Sequence, residues 1–205
     1  DRYPLSLITA YRLEPTKARR KRLADMAKKD FLLVQAPGHP MAAYVSLPKA
    51  WKDGKRWPVL VSVEGAGSNF KGNAKGFKNA RGSRDWITVS PHSLSCTNEV
   101  KLDKYPAYTK ELVQTWNDKR AEFDVAGLAA ILDDLETFFG ASKEVAITGF
   151  SGGGFLCYGF LFHHPDRVLC AAPACANFNQ GMQRGGPTPE DGGPPVHVMT
   201  GEKDP

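Results

Sequence analysis

Short apolar runs bounded by turn residues alternate along this chain with longer stretches of helical spacing. Phe31-Leu32-Leu33-Val34-Gln35 and Met41-Ala42-Ala43-Tyr44-Val45-Ser46-Leu47 read as two strands, and Gly38-His39-Pro40 between them predicts an antiparallel hairpin. A polar, turn-rich stretch runs from Pro48 to Arg56. Pro58-Val59-Leu60-Val61-Ser62-Val63 is then nearly continuous in apolar residues, as a strand buried on both faces should be. Trp86-Ile87-Thr88-Val89-Ser90 is a further strand, and the Gly- and Asn-rich segment before it has room for a short helix. Residues 91–120 are mixed and carry Tyr105, Tyr108 and Trp116.

From Phe123 to Phe139 the spacing is helical. Val125, Leu128, Leu132, Leu135 and Phe139 share one stripe, Asp133, Asp134 and Glu136 lie opposite, and Gly140 marks the end. Val145-Ala146-Ile147-Thr148 is a strand, Gly154 to Phe162 is an apolar run of helix length, and Arg167 to Ala172 is another strand. A Gly- and Pro-rich loop from Gly181 to Pro195 precedes a last strand, Val196 to Thr200. Buried strands alternating with helices predict an α/β fold, a mostly parallel sheet with helices on both faces and reactive groups at the carboxyl ends of its strands. A closing strand and helix are missing from this order, which leaves a free sheet edge that a domain normally protects.

The 205 residues suffice for one sizeable core. We expect residues 31–205 to form the catalytic domain and residues 1–30 a basic amino-terminal extension. No apolar run is long enough to span a membrane. The net charge of +5 is concentrated in Lys17-Ala18-Arg19-Arg20-Lys21-Arg22, with Lys28 and Lys29 behind. No aromatic interleaving or nucleic-acid motif accompanies it. A solvated helix face with Leu13, Leu23 and Met26 turned inward is therefore expected, and no nucleic-acid partner. The four cysteines lack metal-type spacing, so no metal site is expected. Cys157 and Cys170 read as small buried hydrophobes, whereas a Cys96–Cys175 disulfide stays open if the protein is secreted.

The most specific signal is Gly149-Phe150-Ser151-Gly152-Gly153, a G-x-S-x-G between a strand and a helix. At such a turn the serine hydroxyl is pushed out at the top of the sheet. Attack by a serine needs a base, a group that orients the base, and donors preset for the developing oxyanion. Ser151 is the candidate nucleophile, and the Gly152 N–H is one natural donor. Glu64-Gly65-Ala66-Gly67-Ser68, after the Val59 strand, has the small-residue character of a second donor loop, with Gly65 and Ala66 as its candidates. Asp204, just past the last strand, is the candidate acid, ahead of Glu202.

No histidine occupies the expected place after the acid. His39 lies in a hairpin turn, His163 and His164 end the helix behind Ser151, and His197 reads as a packed strand residue. His92 falls at the reactive edge of the sheet, where it can line a pocket. Either the chain stops before its base or the fold is complete and catalytically degenerate. Tyr105, Tyr108 and Trp116 form either an apolar, sugar-stacking substrate wall or the small core of a loop.

These pieces together resemble the α/β-hydrolase superfamily and, within it, the bacterial esterases grouped with polyhydroxybutyrate depolymerases and feruloyl esterases. The resemblance is carried by Pro58 to Gly67, Val145 to Gly154, His164-Pro165-Asp166-Arg167 leading into Ala171-Ala172-Pro173, and Val196 to Asp204. It implies an α/β-hydrolase fold and hydrolysis of a small or polymer-linked carboxylic ester through an acyl-serine, outside the cytoplasm and without metal or organic cofactor. Ser151 is then the nucleophile, Asp204 the orienting acid, and Gly152 with Ala66 the oxyanion donors; the family's histidine has no match. The alternatives are an oligopeptidase-type serine peptidase and a non-catalytic hydrolase-fold binding protein.

Overall fold

The structure, a computed structural model, describes residues 17–176, 178 and 192–202. It begins with α1 (Lys17–Lys29), followed by the hairpin β1 (Leu32–Gln35) and β2 (Ala42–Ser46). Strand β3 (Val59–Val63), helix α2 (Phe70–Arg81) and strand β4 (Ile87–Pro91) come next. Beyond β4 lie a short helix α3 (Lys110–Thr115), the long α4 (Arg120–Phe139), β5 (Val145–Phe150), α5 (Gly154–His163) and β6 (Val168–Ala174). The strands form one sheet in the order β1-β2-β4-β3-β5-β6. Both pairings of β2 are antiparallel, and β4, β3, β5 and β6 run parallel.

Helices cover both faces, as the alternating pattern predicted. On one face α1 accepts from β2, with Ser46 Oγ and Leu47 N both bonded to Ala27 O. On the same face α2 is tied to the sheet by Asn73, whose amide donates to Ser62 O and Ser90 Oγ. The other face is covered by α4, whose apolar stripe of Phe123, Leu128, Ile131, Leu132, Leu135 and Phe139 is buried, and by α5, which buries Leu156, Phe160 and Leu161. The basic run behaves as an amphipathic helix: Leu23, Ala24 and Ala27 are buried in the main core, while Lys21, Arg22 and Lys29 are exposed. The described part of the extension thus shares the core of the sheet. Leu13 lies outside the described residues, as do residues 181–191 of the Gly- and Pro-rich loop.

Residues 196–199 differ from the expected strand. They meet β6 in parallel through isolated bridges at Val196 and Met199, and Val196, Val198 and Met199 are all exposed. His197 is likewise exposed, so it is an edge residue rather than a packed one. Without a described neighbour beyond them, these residues gain backbone bonds but little burial.

Gly140 ends α4 in the left-handed conformation, and its N–H closes on Leu135 O. A β-carbon at this position would also run into the carbonyl oxygen of Lys55. Gly140→Ala is therefore expected to lower stability by at least about 1 kcal/mol in urea unfolding, from the left-handed penalty before the collision is added. An unchanged midpoint would contradict this account of the helix end.

Candidate active site

Strand β5 carries Ser151 to the carboxyl edge of the sheet, where Val63 of β3 stands opposite Gly149 and Ala174 of β6 opposite Phe150. Ser151 adopts φ +51, a left-handed conformation that a non-glycine residue rarely takes and that concentrates at functional sites. It opens a single tight turn, Ser151–Gly153, which leads directly into α5. That sharp reversal needs residues without side chains. A β-carbon on Gly152 would strike the carbonyl oxygen of Cys96, and one on Gly153 would sit 2.5 Å from Val63 O. Ser151 itself remains half-buried, its neighbours Phe150 (58% exposed) and Phe155 (40%) standing at the surface.

The loop after β3 lies alongside the serine. A β-carbon built on Gly65 would be 2.9 Å from Phe150 O and 3.4 Å from the Ser151 β-carbon, so the two backbones are adjacent. Ser68 N donates to Gly65 O at 3.0 Å, closing the turn, while Ala66 and Gly67 project into solvent. The amino end of α5, the positive end of its dipole, lies close to Ser151. Gly65 thus lies against the serine, and Gly152 follows it in the turn. Burial raises the half-buried Glu64 carboxyl above its usual range, partly offset by a hydrogen bond from the Gly65 backbone.

The segment after β4 forms the floor. Asp124, on α4 and fully buried, accepts from Leu94 N and Ser95 N, both at 2.8 Å, and from Ser95 Oγ. One turn earlier Arg120 donates to Thr97 O and Asn98 O. The first turns of α4 therefore hold both polarities of this loop, which presents Cys96 O to Gly152. Burial is the largest influence on Asp124 and raises its pKa from 3.8 to about 7, against the opposing hydrogen bonds from Ser95 and Leu94.

Of the two readings of the 91–120 aromatics, burial favours the loop core. Tyr105 is 1% exposed, and Tyr108 is buried with its hydroxyl donating to His92 O at 2.7 Å. Trp116 is half-buried against His39 and Phe123. These rings form the small core of the 91–120 segment, because each aromatic face is already satisfied by another ring. His92 is also core: it is fully buried and stacks on Phe70 at 4.6 Å. Burial lowers its pKa to about 3, so it stays neutral and reaches no open surface. The aromatic side chains exposed beside the serine are Phe150 and Phe155, which the reading of the sequence passed over. Phe150 is the variable residue before the serine in the elbow motif, where strand alternation alone marks it as facing away from the α4–α5 side.

No described histidine hydrogen-bonds Ser151. His39 Nδ1 accepts from Met41 N, and His164 tilts against Phe160 at the far end of α5. Asp204 lies outside the described residues, and Glu202 is exposed. The Cys96–Cys175 disulfide is not formed; Cys96 is buried and Cys175 is exposed. Cys157 is buried as expected, but Cys170 is only half-buried. Among the described residues no cluster of His, Cys, Asp and Glu side chains is arranged to hold a metal. No described helix is long and apolar enough to cross a membrane. A cavity of about 570 Å³ opens instead near the amino-terminal ends of β3 and β5, lined by Pro58, Leu60, Trp86, Glu144 and Leu169. It is remote from the carboxyl edge where Ser151 stands.

This sheet order, with a strained serine between β5 and its helix, is that of the α/β-hydrolase fold, and solved structures bear the assignment out. Poly(aspartic acid) hydrolase-1 from Sphingomonas sp. KT-1 superimposes with a TM-score of 0.60 at 18% identity, over 85% of this chain and 72% of that one. A thermostable esterase gives 0.55 at 17% identity, over 88% of this chain and 48% of its own. The poly(3-hydroxybutyrate) depolymerase LpqC from Bordetella parapertussis gives 0.53 at 17% identity, over 77% and 56%. The chain thus spans nearly three quarters of the first and about half of the other two. No family profile and no curated relative matches it in sequence.

Asp124 supplies a pH test. Its folded pKa lies above its unfolded value, so the folded state holds the proton more tightly, and its contribution is fullest below pH 3.8. That contribution falls by about 1.4 kcal/mol per pH unit as the pH rises, and levels off above about 7. Urea unfolding of the wild type and Asp124→Asn between pH 4 and 8 is expected to show this extra downward slope only in the wild type. Parallel profiles would contradict it.

Proposed function

We propose that the protein is a serine hydrolase that cleaves a carboxylic ester through an acyl-serine intermediate. The observation that carries the reading is Ser151 in a left-handed turn between β5 and α5, with the Gly65–Ser68 loop against it. In this reading Ser151 Oγ gives its proton to the base as it attacks the acyl carbon. The carbonyl electrons move onto oxygen, the N–H groups of Gly152 and Ala66, with Gly65 beside them, receive the oxyanion, and the base later returns the proton to the departing alkoxide. The tetrahedral intermediate collapses by expelling the alcohol, which takes a proton, and water then releases the acid and restores the serine hydroxyl. Asp204 is assigned the orienting acid. The base is assigned to none of the described histidines.

Phe150 and Phe155 give the mouth an apolar rim that suits an acyl chain or an aryl group. Polyester, feruloyl and carbohydrate esters are the substrate classes of this reading, encountered outside the cytoplasm. The domain is taken to comprise residues 31–205, with 1–30 as its basic extension. Names borne by similar structures support the chemistry at the level of hydrolases and esterases. A second reading, a hydrolase-fold binding protein, is favoured by one observation, that no described histidine meets Ser151.

Turnover of p-nitrophenyl butyrate and labelling by a fluorophosphonate probe separate the two. The hydrolase reading expects labelling at Ser151 and a loss of about a million-fold in kcat on Ser151→Ala. Equal rates in wild type and variant would sink the nucleophile assignment. A wild type that neither turns over nor is labelled, yet binds an ester polymer, would establish the binding protein.

A further inference from the structure

Behind the serine, three segments distant in sequence meet in one buried polar knot. Ser68, near the end of the loop after β3, is buried and holds φ +52, a costly conformation for a non-glycine residue unless something fixes it. Its hydroxyl lies 3.4 Å from Tyr105 Oη and 3.8 Å from Cys96 Sγ. Tyr105 donates to Ser93 O at 2.8 Å, and Cys96 Sγ donates to the same carbonyl at 3.2 Å. With those protons committed to Ser93 O, the acceptor positions on Tyr105 and Cys96 are left for Ser68, whose hydroxyl must therefore be the donor. Cys96 then contacts the site twice. Its thiol faces the Ser68 loop, and its carbonyl oxygen fills the space that a side chain on Gly152 would need.

We propose that Ser68, Tyr105 and Cys96 form a positioning tie that sets the Gly65–Ala66 segment at a fixed distance from Gly152, and so sets the spacing of the two oxyanion donors. The inference rests on the hydrolase reading above and assigns these three residues no contact with substrate. Burial pushes the Cys96 thiol and the Tyr105 hydroxyl up from their ordinary values, so both keep their protons at neutral pH and the donor pattern is constant. The base of the tie is firm. Asp124 and Arg120 clamp residues 94–98 to α4, and the Tyr105 ring stacks on Tyr108 and meets Phe70 edge-on. Ala66 and Gly67, by contrast, have no burial to hold them; they are held from either side by buried Gly65 and Ser68, and Ser68 is the end fixed by side-chain bonds. A displacement of about an ångström at a preset donor costs on the order of a hundredfold in rate.

Tyr105→Phe removes the hydroxyl and keeps the ring packing; Ser68→Gly removes the donor at a φ that glycine accepts freely. Each is to be measured by amide hydrogen exchange at residues 65–68, by thermal unfolding, and by kcat and KM on p-nitrophenyl butyrate. The tie predicts exchange about tenfold faster at residues 65–68 in Tyr105→Phe. It further predicts kcat reduced about ten- to a hundredfold with KM nearly unchanged, and a double variant no slower than the worse single. Unchanged exchange in Tyr105→Phe overturns the tie. Faster exchange with wild-type kcat in an active enzyme overturns its catalytic consequence, as does a drop in kcat that merely tracks lost folded protein. A wild type without turnover or Ser151 labelling is a separate result: it overturns the hydrolase reading, and the positioning role with it.

Discussion

The site depends on a clearance only a hydrogen atom wide. At Gly152 the backbone passes against the carbonyl oxygen of Cys96, and at Gly153 against the carbonyl of Val63. Room for side chains at these positions would push the turn away from β3 and the 93–98 loop, and Ser151 could not hold its left-handed φ. The same closeness fixes three loops relative to one another. Strand register places Val63 opposite Gly149, so the end of β3 and the elbow cannot slide apart without breaking the parallel pairing at the centre of the sheet. Tight packing of this kind transmits position because the interior is nearly incompressible.

Burial also decides what the polar residues around the site can do. His92 and Asp124 lie within a compact group of rings and backbone turns, and both are driven toward their neutral forms. Asp124 acts by accepting hydrogen bonds and His92 by filling space among rings, and a histidine held neutral in such a place is not available as a proton carrier. Charged side chains are left at the surface, those of Lys21, Arg22 and Lys29 on α1 among them. Beside Ser151 lie backbone segments, the turn that begins at Gly65 and the amino end of α5.

Much of the architecture is legible in the chain because period and punctuation are local. The hairpin, the buried β3 run, the α4 stripe with its Gly140 stop and the G-x-S-x-G turn each follow from residues within a short window. The aromatic residues of 91–120 were open to two readings because a ring's periodicity does not say whether it meets another ring or solvent. Tyr105 is core because Phe70, from another element, meets its ring, and Tyr108 because Phe123 of α4 and His92 do. Asp124 left a signal that went unused: it falls four residues before Leu128 on the buried stripe, and an acid there must have partners. Those partners, Leu94 and Ser95, lie some thirty residues upstream.

By itself the sequence determined the class of fold, the succession of its elements and the serine at the turn, since these depend on contacts between near neighbours and on the steric freedom of glycine. The tertiary structure alone decided that Ser68, Cys96 and Gly152 meet, that the tyrosines and His92 are sealed inside, and that Phe150 and Phe155 form the open rim. Those outcomes depend on which strand ends the sheet order brings side by side, a long-range property that no local pattern encodes.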